Sequence, residues 1–180
     1  MPKVLCLAGS LRAAASSRAV VETICRKLSA EAVFSRFDIG SLPHYNADLD
    51  PLPDTVVALK QSIAGADGLI IVTPEYNYSV PGVLKNAIDW ASRPYGKNSW
   101  AGKTVAVTGT SGGAVGTAVS QNELRMILTN LAGVVVGSQV FVTFKDDLID
   151  AQNNVTNEAT RGFLQGFVDN FAKIAGKLAA

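Results

Sequence analysis

Apolar and polar positions follow two rhythms along this chain. KVLCLAG (3–9) and DGLIIVT (67–73) are short apolar runs, the pattern of strands buried on both faces. Longer stretches repeat apolar residues every three or four positions, as helices with one face on a core do. SSRAVVETICRKLSA (16–30) carries Val20, Val21, Ile24, Cys25 and Leu28 in that way, with Ser16 or Ser17 as a natural N-cap. AVFSRFDIG (32–40) alternates like an edge strand with one half-wet face. DTVVALKQSIAGA (54–66) opens on an Asp N-cap and carries Val57, Leu59 and Ile63. Pro81 stands where a first helical turn should begin, and VLKNAIDWAS (83–92) continues that helix. KTVAVTGT (103–110) is a fourth strand, followed by a helix over about 116–131 with Leu124, Ile127, Leu128 and Leu131 on one face. GVVVGSQVFVTF (133–144) is a fifth strand, broken or bent at Gly137. A last helix, about 155–177, spaces Phe163, Phe167, Phe171 and Ile174 by threes and fours.

Five strands interleaved with five helices predict one three-layer α/β domain over residues 1–180. Its five-stranded parallel sheet has helices on both faces and right-handed crossovers. With no second half to the fold, the favoured strand order is 2-1-3-4-5. No repeat, low-complexity segment or linker interrupts it, and residues 40–53 read as a surface loop.

Composition then narrows the function. A formal net charge of +1 gives no field that would draw nucleic acid or an anionic membrane. No apolar run is long enough for a transmembrane helix, and the N-terminus lacks a signal-peptide pattern, so a soluble cytoplasmic protein is expected. Cys6 and Cys25 are too few for a disulfide framework or a zinc site, and both read as small buried hydrophobes. His44 is the only histidine and the acidic residues are scattered, so neither a metal site nor a Ser-His-Asp hydrolase is expected.

Ligands of such a sheet bind beyond the carboxyl ends of the strands, where strand order reverses. The loops that meet there are GSLRAAASS (9–17), PEYNYS (74–79) and SGGAVG (111–116), the three compositionally odd loops of the chain. Ser10, Arg12, Ser16 and Ser17 precede or open the first helix, where free amides and the helix dipole suit a phosphate. The alternative is an ordinary cap beside a solvated arginine. Ser111-Gly112-Gly113 lets a flat ligand approach the backbone, or makes only a tight turn. Neither the P-loop spacing nor G-x-G-x-x-G is present. Glu75 could be a catalytic carboxylate; a local role, with the backbone around it facing the ligand, is favoured.

Taken together, GSLR after strand 1, TPEYNYSVPGVLKNAIDW after strand 3 and SGGAVG after strand 4 resemble the NADPH-dependent FMN reductase family, in matching order over nearly the whole chain. The resemblance implies a flavodoxin-like fold, a bound FMN and NADPH or NADH as co-substrate. It also implies small-molecule electron acceptors: quinones, free flavins, azo compounds, or metal ions such as chromate and ferric complexes. By analogy, Ser10, Arg12 and Ser17 hold the FMN phosphate. Pro74, Glu75, Tyr76 and Asn77 line the isoalloxazine, largely through backbone N–H groups, and Ser111, Gly112 and Gly113 close its other side. The family's first loop continues with Ser and Asn where this chain has Ala15 and Ser17, and Ala15 has no hydroxyl to donate. No catalytic side chain is expected, because the flavin does the electronic work. Nicotinamide and acceptor alternating in one space imply ping-pong kinetics.

Relatives are often dimers or tetramers with flavin sites near subunit boundaries, which implies a homodimer or homotetramer here. Tyr76, Tyr78, Trp90 and Tyr95 would suit such a boundary, or Trp90 packs in its own core, and Arg93 and Tyr95 would reach a neighbouring site. The rival readings are a flavodoxin-like electron carrier, disfavoured by the near-neutral charge, and a non-catalytic flavin-binding module.

Overall fold

The computed structural model describes residues 1–26, 28–113, 116–137, 139–144 and 148–179. Strands β1 (Lys3–Ala8), β2 (Val33–Phe37), β3 (Gly68–Thr73) and β4 (Thr104–Ser111) alternate with helices α1 (Ser16–Cys25), α2 (Asp54–Ala64), α3 (Gly82–Ser92) and α4 (Ala118–Asn130). The expected fifth strand is two short pieces, β5 (Val134–Val135) and β6 (Val140–Thr143), and α5 (Glu158–Ala179) follows. The pairings between these strands are all parallel, in the order β2-β1-β3-β4-β5 with β6 also on β4. The reversal of strand order falls between β1 and β3, as the sequence predicts.

Successive strand residues point to opposite faces, and each face builds its own core. Cys6, Ile70, Val72 and Ala106 pack with Val20 and Ile24 of α1 and Leu164, Val168 and Phe171 of α5. Leu5, Leu69, Ile71, Val105 and Val107 pack with residues of α2, α3 and α4, including Leu59, Ile63, Leu84, Ile88 and Leu124. Every position of β3 is buried, which explains its unbroken apolar run. Burying each large side chain contributes roughly 1.5–3 kcal/mol of transfer free energy.

The fifth strand breaks where glycine allows it. Thr104 pairs with Val134 and Thr108 with Val140, so six steps along this strand match four along β4. The surplus bulges at Gly137, whose φ of +81° few other residues adopt.

Several element ends differ from the sequence expectation. Helix α1 stops at Cys25, and the chain turns at Ser29, whose hydroxyl accepts from Glu31 N–H (3.1 Å) and donates to Asp169. Strand β2 ends at Phe37 because the Asp38 carboxylate caps a short 3₁₀ turn through Gly40 N–H (3.0 Å). The N-cap of α2 is Pro53, with Asp54 in the first turn, and Pro81 is itself the N-cap of α3. Trp90 belongs to its own core: it is 1% exposed, its indole N–H donates to Pro43 O (2.8 Å), and Tyr45 meets it edge-on at 4.9 Å.

Candidate functional site

The three compositionally odd loops do converge beyond the carboxyl ends of β1, β3 and β4. Ser10 Oγ hydrogen-bonds Tyr76 Oη (2.9 Å), which ties the loop after β1 to the loop after β3. Ser16 Oγ pairs with Thr110 Oγ1 (2.8 Å), which ties the start of α1 to the end of β4.

Neither serine caps α1 as the sequence suggests. Its N-cap is Ala15, with no side-chain cap, so its first amide groups keep their hydrogen-bonding capacity. Ser17 is 1% exposed, and its hydroxyl has no partner among the described residues. A buried unpaired hydroxyl is uncommon in a finished structure. With the uncapped helix start it makes a set of hydrogen-bond donors of the kind that suits an anion.

The loop after β3 is a two-residue hairpin turn. Tyr76 and Ser79 exchange both backbone hydrogen bonds (3.2 and 3.1 Å), while Asn77 and Tyr78 have φ of +52° and +61°. This is the type I′ geometry, which favours Asn-Gly. Tyr78, 74% exposed, therefore occupies a conformation that costs an L-residue roughly 1–2 kcal/mol. Tyr78→Gly is expected to stabilise the protein by about 1 kcal/mol, read as a higher urea midpoint at unchanged m-value; a lower midpoint would mean the ring contributes more than the strain removes.

Two carboxylates pin this turn to α4. Glu75 Oε2 accepts from the N–H groups of Val119 and Ser120 (both 3.0 Å), capping α4 from outside. Glu123 Oε2 accepts from Ser79 Oγ (2.8 Å) and Val80 N–H (3.1 Å). The local role expected of Glu75 is thus a helix cap. Tyr76 N–H is committed to Ser79 and proline has no N–H, so the expected row of free amides shortens to Glu75 and Asn77.

The loop after β4 begins beside a crowded helix start. Gly109 faces Thr117 and Gln121, and Gln121 Nε2 donates to Thr117 Oγ1 (2.9 Å) and Val140 O (3.0 Å). Beyond it, Ser111 Oγ accepts from Gly113 N–H (3.0 Å). Residues 114–115 of SGGAVG lie outside the described residues.

A cleft of about 650 Å3 has Arg12, Ser16 and Gly112 on its walls together with Phe144, Asp150 and Asn153. Pro74, Glu75, Tyr76 and Asn77 do not line it; they join the site through the Ser10–Tyr76 bond. The wall at residues 149–153 escaped sequence reasoning, although a loop after the fifth strand also emerges at the carboxyl edge of the sheet. Asp150 accepts from Asn154 Nδ2 (2.9 and 3.1 Å), Asn154 N–H (2.8 Å) and Gln152 N–H (3.0 Å), and these bonds hold its carboxyl below the usual aspartate range. A depressed folded-state pKa means that this support is complete above the unfolded value, near pH 4, and fades as pH falls through the folded one. Amide exchange at residues 150–154 is therefore expected to quicken, relative to the core, below about pH 4. Unchanged relative protection there would count against the carboxylate as the clasp.

Strand order and the gathered loops define a flavodoxin-like α/β protein whose first helix starts without a side-chain cap. The family model described as NADPH-dependent FMN reductase matches residues 2–147, and the chain belongs to that family. It is 44% identical over 172 residues to a 2-hydroxy-1,4-benzoquinone reductase of a Burkholderia species, covering 94% of each chain. It is 38% identical over 182 residues to a quinone reductase of Escherichia coli K12, covering 99% of this chain and 92% of that one. Among solved structures it is similar to FerB, a flavoenzyme NAD(P)H:(acceptor) oxidoreductase of Paracoccus denitrificans, with a TM-score of 0.86, 40% identity and 98% of both chains covered. Membership makes the protein an FMN- and NAD(P)H-dependent oxidoreductase.

Proposed function

We propose that the protein is a quinone reductase that holds FMN across the loops after β1, β3 and β4 and draws electrons from NADPH or NADH. The observation that carries this reading is the uncapped start of α1, with the unpartnered Ser17 hydroxyl buried in its first turn and Arg12 in the adjoining cleft. That donor set fits a phosphate dianion: backbone N–H groups, a hydroxyl and a guanidinium. In this reading Ser10, Arg12 and Ser17 hold the phosphate. Pro74, Glu75, Tyr76 and Asn77 flank one side of the ring, and Ser111, Gly112 and Gly113 the other. FMN, when bound, supplies two-electron hydride chemistry.

The chain's own residues bind and orient. Glu75 and Glu123 fix the turn at 76–79 so that its backbone is set before any ligand arrives, which lowers the ordering cost of binding. No side-chain acid or base is assigned a proton-transfer role. Nicotinamide and acceptor use one space in turn, giving ping-pong kinetics. Quinones are the first acceptors proposed, supported by the activities named for the Burkholderia and E. coli relatives. Free flavins, azo compounds, chromate and ferric complexes extend the range that a backbone-lined pocket tolerates. The exposed rings of Tyr76, Tyr78 and Tyr95 support a homodimer or homotetramer. No helix among the described residues is long and apolar enough to cross a membrane, and a cytoplasmic location is part of the proposal.

Anaerobic titration tests the reading. FMN-loaded protein should be bleached by NADPH or NADH and recoloured by a benzoquinone, with parallel double-reciprocal plots in steady state. Yellow protein that neither nicotinamide bleaches would sink the reductase assignment, and protein that fails to bind FMN would sink the site. Arg12→Ala is expected to weaken FMN binding about 10- to 100-fold, since a charge-assisted hydrogen bond contributes about 1.5–3 kcal/mol. An unchanged dissociation constant would remove Arg12 from the phosphate site.

A further inference from the structure

We propose that the turn at 149–153 makes the site selective for a flavin that ends at its first phosphate, with Asp150 and Asn153 as the residues that reject a flavin dinucleotide such as FAD. The proposal rests on the phosphate site argued above and adds the specificity of that site. FMN ends in a phosphate monoester. In FAD the same phosphate carries a second one and a nucleoside, so a protein that admits FAD must leave an exit beyond the first phosphate.

The turn closes that exit. It shares the cleft of about 650 Å3 with Arg12, Ala13, Ala14 and Ser16, and Asn153 Nδ2 reaches across to within 3.5 Å of Ala13 O. This approach to the loop after β1 places the turn at the phosphate end of the cleft. The ring-side residues Pro74 to Asn77 do not line it.

The turn is also held against swinging aside. Ile149 and Val155 form an antiparallel bridge at its neck. Within it, Asn153 N–H donates to Asp150 O (2.9 Å) and Asp150 N–H to Asn154 O (3.0 Å). Val155 N–H donates to Thr23 Oγ1 (2.9 Å) and Arg26 to the Asn154 side chain, so the neck is fastened to α1, the helix assigned the phosphate. Opening the turn would leave these groups unpaired.

Charge acts in the same direction. Asp150 lines the cleft, and hydrogen bonds from Asn154 and Gln152 keep its carboxyl ionised at neutral pH; the pull of Arg26 is the weakest influence on it. A monophosphate stops at Arg12 and the start of α1. A second phosphate would carry negative charge one ester bridge further out, toward the Asp150 carboxylate. Such repulsion discriminates by weakening the wrong ligand rather than by strengthening the right one.

Competition on the FMN-loaded protein tests this: FAD, or separately riboflavin, is titrated in, and free FMN is measured at equilibrium after rapid filtration. Wild type is expected to bind FAD about 100-fold or more weakly than FMN, since close like charges are strongly unfavourable. Asp150→Asn keeps an acceptor oxygen for the turn without the charge. Asn153→Gly removes the side chain that spans the cleft, at a backbone φ of +63° that glycine adopts freely. Each variant should raise FAD affinity about ten-fold relative to FMN. Riboflavin should compete poorly throughout. An unchanged FAD-to-FMN ratio in both variants, or wild type that takes FAD as tightly as FMN, would overturn the proposal and leave the phosphate site standing. Riboflavin bound as tightly as FMN would remove the phosphate site itself, and this selectivity with it. If Asp150→Asn loosens the turn, the ratio in Asn153→Gly decides the question.

Discussion

Glu75→Ala is expected to lower the stability of the fold by about 2–3 kcal/mol and to weaken FMN binding at the same time. Its carboxylate receives two amide N–H groups at the start of α4, a helix whose N-cap, Thr117, offers no side-chain cap. Losing it leaves both donors unpaired, removes a negative charge from the positive end of a helix dipole, and frees the turn at 76–79 from one of its two anchors. Glu75→Gln keeps an acceptor oxygen in place without the charge, so it should recover about half of the loss. Urea unfolding of the apoprotein gives the stability change and FMN titration the affinity change. A midpoint equal to that of wild type would show that α4 does not depend on this cap. Lost affinity without lost stability would point to direct contact between Glu75 and the ligand instead.

Gly109→Ala should be more damaging, by about 3 kcal/mol or more, because overpacking at a rigid contact forces backbone movement. A Cβ at this position would collide with the Thr117 side chain, lying 2.6 Å from its Cβ and 3.0 Å from Gln121 Nε2. None of these atoms yields cheaply. Thr117 and Gln121 are fully buried and bonded to each other, and Gln121 also holds Val140 O at the edge of the sheet. Relief requires α4 to move away from β4, which would carry the Glu75 and Glu123 anchors with it. Gly162→Ala is the matched control. Its Cβ would meet nothing within 4 Å in α5, so alanine there should stabilise by up to about 1 kcal/mol through helix propensity. Thermal unfolding of the two variants should move in opposite directions; a shared direction would refute the steric account of Gly109.

What the sequence made legible was what periodicity and local chemistry determine. Strands β1, β3 and β4 are buried on both faces, so their apolar runs stand out, and a lone glycine inside a strand pattern marks the break at Gly137. The convergence of three loops followed from topology alone. What stayed hidden depends on partners distant in the chain. Glu75 caps a helix 44 residues onward, and no spacing rule reveals that. Ser16 looks like a cap, yet its hydroxyl bonds Thr110, 94 residues away. Asn77-Tyr78 did not read as a hairpin turn because tyrosine stands where glycine is favoured, and the strain is visible only in the backbone. Trp90 suited an interface or a core equally well until Pro43 supplied an acceptor for its N–H.

The divided fifth strand also bears on how the protein behaves in a crowded solution. An uninterrupted outer strand beside β4 would offer a long ladder of free amide and carbonyl groups to any other chain in extended form. Here that margin is cut into runs of two and four residues by the bulge at Gly137. Neither run is long enough to template cross-strand aggregation. A chain with an apolar parallel sheet thus keeps its outermost strand from recruiting copies of itself, without any charged residue in β5 or β6.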